Sequence, residues 1–163
     1  MTVVHLGAWC DFVTEDEYRA RLLRGGWAGP TGSPGWSPAF PSVPSRVQAD
    51  SVENLVEDFK RGVSFVVHEF ADLADGRRIT LHEDRGFTTS AQWRYLTLDD
   101  LERDVRTTVL PDDDDTQDEH PWEWLAELLH VRGVDATAEE LRLVPYNVVF
   151  SERLRARLGS PRR

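Results

Sequence analysis

The stretch GGWAGPTGSPGWSPAFPSVPS, Gly25 to Ser45, most restricts what this chain can fold into. It holds five of the eleven glycines and five of the nine prolines. Proline fixes φ and removes a backbone donor, so neither a helix interior nor a central strand accepts that density. Regular structure must come from the residues on either side. Trp27, Trp36 and Phe40 are spaced through the stretch, and a purely flexible linker has no use for such rings. The reading is a long loop over 25–45 pinned to the body by its aromatics, a length that is uncommon and often functional.

The flanks carry helix and strand signals. Thr14 and Glu17 make a capping-box pattern before a helix that runs to about Arg24 and stops at Gly25 and Gly26. Ser51 caps a second helix, with Val52, Leu55, Val56 and Phe59 on one face and Gly62 at its end. SFVVHEF and RRITLHE read as two strands joined by ADLADG, in which Asp75-Gly76 is a hairpin signal. Thr97 caps a helix whose Leu98, Leu101, Val105 and Val109 face inward. Pro121 suits the first position of the next helix, which stops at Gly133. Thr137 and Glu140 form another capping box, LVPYNVVF reads as a third strand, and Ser151 caps a final short helix. The sum is a single α+β domain over 1–163: a small antiparallel sheet of about three to five strands with helices on one side.

Charge is the second constraint. The formal net charge is −10, and the segment from Asp99 to Glu127 holds twelve acids against Arg103 and Arg106. The rest of the chain is balanced, so the whole net charge lies on that segment. Nucleic acid is repelled from such a face, whereas a basic protein is steered toward it. No apolar run is long enough to span a bilayer, and no basic n-region opens the chain. Cys10 is the only cysteine, which excludes an intramolecular disulfide and points to the cytoplasm.

Few patterns carry chemistry. In the acidic loop, 111–120, a calcium count from Asp112 finds Asp112, Asp114, Thr116 and Glu123 at ligand positions, but Gln117 stands where the loop needs glycine. His68 and His82 lie on adjoining predicted strands, each followed by a glutamate. A three-residue hairpin loop sets them face to face; a loop of two or four sets His68 against Glu83 or Leu81. If they meet, His68, His82, Glu83 and Asp84 form a candidate metal or acid–base site, but no established metal or catalytic spacing is present. Cys10 reads as a small buried hydrophobe, and Arg77, Arg78 and Arg85 as protection of an exposed strand. No cofactor is implied.

The acids of LDDLERD and PDDDDTQDEHPWEW, followed by two tryptophans, resemble in type the small acidic immunity proteins of bacterial toxin systems. That resemblance implies a binding protein rather than an enzyme, with a basic partner such as a toxin. Its contact set would be Asp112, Asp113, Asp114, Asp115, Asp118, Glu119 and an exposed Trp122 or Trp124. On a helix those two tryptophans point about 200° apart, so at most one sits fully on the core face. Two other functions compete: an enzyme centred on the His68/His82 hairpin, and a regulatory adaptor that recognises its partner through the 25–45 loop.

Overall fold

The strand that no periodicity singled out runs through the middle of the sheet. In the computed structural model, which describes residues 2–23, 49–110 and 122–159, β1 spans Val3–Phe12. It pairs antiparallel with β2, Val63–Leu73, which pairs antiparallel with β3, Arg78–Thr89. On its other side β1 pairs parallel with β4, Tyr146–Phe150, giving the order β3-β2-β1-β4. The sheet is therefore mixed, not purely antiparallel. The cause is the chain's path: α3 (Leu98–Val109), α4 (Trp122–Val131) and α5 (Ala138–Leu143) intervene before β4, a crossover long enough to return the chain in parallel. The strands β1 and β2 are buried on both faces over most of their length, which removes the alternation that marks a half-exposed strand.

Helix boundaries follow their caps. In α1, Glu15–Leu23, Thr14 and Glu17 exchange side-chain bonds with each other's backbone at 3.2 and 2.8 Å. Thr97 caps α3, Thr137 and Glu140 complete the box of α5, and Ser151 Oγ accepts from Leu154 N in α6, Glu152–Gly159. The helix α2 starts at Ala49, so Ser51 lies in its first turn rather than at its cap. Gly76, at φ +86°, closes the β2–β3 hairpin in the left-handed region that glycine adopts freely.

One face of the sheet, here the inner face, carries two apolar clusters. The first sets Cys10, Phe65, Val67 and Phe150 against Leu101, Val105 and Val109 of α3 and Leu154 of α6. The second sets Leu6, Ala71, Leu73 and Leu81 against Leu125 and Leu129 of α4 and Leu141 of α5. The helices are not all on that side. The pair α1 and α2, Ala49–Phe59, forms a third cluster from Leu22, Val52 and Val56. That cluster is separate from both inner ones.

Two contacts shape the sheet further. Gly7 has no room for a side chain: a Cβ there would lie 2.6 Å from both Asn147 O and the Phe70 ring. At the β4 edge, Pro145 O and Ser151 N bond to β1, so Tyr146, Val148 and Phe150 turn their backbone groups outward. Arg106 of α3 covers the first of these, donating to Tyr146 O at 2.9 Å.

Candidate functional site

Between the two inner clusters the sheet buries a row of polar side chains. Glu69 of β2 is 0% exposed in a strand of otherwise apolar inward residues. Its Oε2 lies 2.6 Å from His82 Nε2 on β3, and its Oε1 accepts from Tyr146 Oη on β4 at 3.3 Å. The tyrosine reaches across β1 because Ala8, opposite both Glu69 and Val148, leaves the space open. Burial, then the Glu69 carboxylate, pushes the Tyr146 phenol well up, so the group remains an O–H donor. With a donor on each oxygen, the carboxylate has replacements for the hydration it lost.

Two ladder irregularities create this row. The register steps from Phe70↔Thr80 to Glu69↔His82 to Val67↔Arg85, so β3 gains one residue at each step. Side chains alternate along a regular strand, and each extra residue inverts that alternation. As a result Leu81 and His82 are both buried, and Arg85 also turns inward. Arg85 is not protection of an exposed strand. It is 4% exposed and donates to Thr108 O at 2.8 Å, satisfying a carbonyl in the last turn of α3. The Trp124 ring of α4 lies 5.4 Å from the His82 ring and 5.2 Å from the Arg85 guanidinium.

His68 and His82, whose meeting the hairpin register left open, do not meet. His82 faces Glu69, whereas His68 is opposite Trp9 of β1 with the rings 5.1 Å apart. None of the three simple hairpin registers holds along the whole ladder, because the bulges shift β3 within it. Glu83 is exposed, and the side chain of Asp84 lies outside the described part of the structure. His68 is half-buried and makes no hydrogen bond among the described residues. Burial holds it below the ordinary histidine range; Glu83 opposes that effect, while Arg21 and His82 reinforce it. Among the described residues, no group of three or more histidine, cysteine or acidic side chains is placed to hold a metal ion.

The acidic segment is only partly in view. Asp112, Asp113, Asp114, Asp115, Asp118 and Glu119 lie outside the described residues, as does the 25–45 loop. Trp122 is 9% exposed and belongs to the second inner cluster, which removes it as a surface anchor. Trp124 is half-buried over His82 and Arg85, so it is the tryptophan left with a face toward the surface. The two bases of the segment are matched within α3: Arg103 with Asp100, and Arg106 with Glu102 at 2.9 Å. Asp99, Asp104, Glu123 and Glu127 form no ion pair among the described residues. Of these, Glu127 lines an open groove of about 560 Å³ between α4 and α5, together with His130, Asp135, Thr137 and Glu140.

Sequence reasoning missed Glu69, Tyr146 and the inward turn of Arg85. The available signal was Glu69 itself, a carboxylate in the apolar run of FVVHEF. The reading favoured its neighbour His68 instead. Among the described residues, no helix is long and apolar enough to cross a membrane. Comparisons with protein-family models, with curated proteins and with solved structures each return no match.

Proposed function

We propose that the chain is a binding protein that captures a basic protein partner on its acidic face and thereby neutralises or regulates it, as immunity proteins do. One observation carries this reading: the whole net charge lies between Asp99 and Glu127, where the two bases are already matched within their own helix. Among the described residues of the segment, Asp99, Asp104, Glu123 and Glu127 have no basic partner and can act on something else. Like charges at this density raise the local negative potential and steer a cationic protein into encounter. The groove between α4 and α5 suits an arginine or lysine side chain of that partner, and Trp124, which packs over His82 and Arg85, offers apolar area elsewhere on α4. In this reading the protein is cytoplasmic and meets its toxin-like partner there.

The test is the association rate of the partner recovered from the source cell. It is expected to fall steeply between low and high salt, and to fall again in a Glu123→Lys, Glu127→Lys variant. A rate indifferent to salt, or an acidic partner, would refute the reading.

A further inference from the structure

The order β3-β2-β1-β4 leaves β4 at an edge, with no strand on its far side among the described residues. Pairing with β1 turns the backbone groups of Tyr146, Val148 and Phe150 outward. Arg106 takes the Tyr146 carbonyl, while the outward groups of Val148 have no partner among the described residues. Strand edges are commonly guarded by charge, proline or a bulge. YNVVF carries neither charge nor proline, and its ladder with β1 has no bulge. Tyr146, Val148 and Phe150 pack toward the inner cluster, so Asn147 and Val149 lie on the other side, where Val149 is 37% exposed.

The inner side of this edge is bordered by acid. Arg106 of α3 bonds to both Tyr146 O and Glu102, each at 2.9 Å. Glu102 lies about one helical turn back from Arg106, and Asp99 about two, so the three share one stripe of α3 beside β4. Asp99 has no basic partner among the described residues. A second copy paired antiparallel on this edge would bring its own Asp99 and Glu102 to the same side, in a chain whose net charge is −10. Like charges disfavour that occupant, and a basic strand meets the opposite sign.

Resting on the reading of the chain as a binder of a basic protein, we propose that the partner is recognised through an extended segment that adds to the open edge of β4 as a further strand. Alternate side chains of that segment point to opposite faces. Lysines or arginines at every second position fall beside Asp99 and Glu102, and apolar residues between them fall beside Val149. Main-chain bonds to Val148 hold the segment, and the alternation selects it. Where the strand takes the Tyr146 carbonyl, its own cation stands in for Arg106 at Glu102.

Three synthetic octapeptides test this against the full chain: alternating lysine and valine, a block isomer of the same composition, and alternating glutamate and valine. The alternating lysine peptide is expected to bind and to slow hydrogen exchange at the Val148 and Phe150 amides. The other two are expected to leave those amides unprotected. Val148→Pro removes an outward N–H without touching the β1 ladder, and is expected to weaken binding by at least about tenfold. Asp99→Lys combined with Glu102→Lys leaves the β4 backbone intact and is expected to reverse the preference, so that the glutamate peptide protects Val148. That second variant decides the matter should the proline variant fail to fold. The proposal is overturned by an absence of binding, by binding that leaves Val148 unprotected, by equal protection from the block isomer, or by unaltered preference in the double-lysine variant. Protection that rises with protein concentration alone would also overturn it, by making the edge a contact between copies. Each of these outcomes leaves the acidic-face reading standing, because that reading fails on a salt-indifferent association rate or an acidic partner.

Discussion

The two faces of the sheet each set a histidine beside a tryptophan at nearly the same distance, 5.1 Å for His68 and Trp9 and 5.4 Å for His82 and Trp124. The likeness ends there. On the inner face His82 has a buried carboxylate at 2.6 Å, itself bonded to Tyr146. On the outer face His68 is half-buried and bonded to nothing among the described residues. Burial is costly for a polar group only when its bonds to water are not replaced. The inner histidine is thus part of a fixed core, whereas the outer one favours the neutral ring and responds to acid.

The contrast breaks most sharply at Glu69. Glu69→Ala removes the acceptor for two buried donors and is expected to cost about 3 kcal/mol in urea unfolding. Glu69→Gln keeps an acceptor for one of them and should cost visibly less. Equal costs would mean that packing volume, not the paired oxygens, is what matters there.

On the outer face the largest expected effect comes from Gly7. Gly7→Ala drives a Cβ into the Asn147 carbonyl and the Phe70 ring, and overpacking of this kind costs about 1–3 kcal/mol. Phe70 can give way, but the backbone oxygen of β4 cannot move without straining the β1–β4 ladder. Paired with Gly7→Ala, a Phe70→Leu change should recover only part of the loss, as read from the unfolding midpoint.

Tyr146→Phe deletes one of the two bonds to Glu69 and leaves His82 in place. Its expected cost is about 1 kcal/mol by the same measurement. The smallest effect lies at His68. With its folded-state value below the ordinary one, stability declines as pH falls through about 6.5 and levels off below the lowered value. His68→Phe is expected to flatten that part of the stability curve and to change little at pH 8, as measured by urea unfolding across the pH series.

What the sequence disclosed divides along the same physical line. Thr14 with Glu17, Thr97, Thr137 with Glu140, and Ser151 all cap the helices expected of them, because a cap is settled within four residues. The α+β class followed from those elements. The place of β1 did not, since VVHLGAWCDF is apolar toward both faces and its partners lie far along the chain. The inner polar row depends on two extra residues in β3, and no local pattern in RITLHEDRGF announces them. At the acidic segment the charge was legible at once. The burial of Trp122 was not, because both tryptophans fit a helix and only the packing of α4 decides which one turns inward.

Arg106 donates to the Tyr146 carbonyl on the side of β4 away from β1, where no strand pairs among the described residues. The strand there, YNVVF, bears no charge of its own, and an uncharged strand edge is one that another strand can pair with. Its first outward carbonyl is already occupied by a cation drawn from a neighbouring helix. A second molecule must displace that guanidinium before its own strand can register against β4. The arginine that helps hold α3 to the sheet therefore also covers a backbone carbonyl that another strand would otherwise pair with.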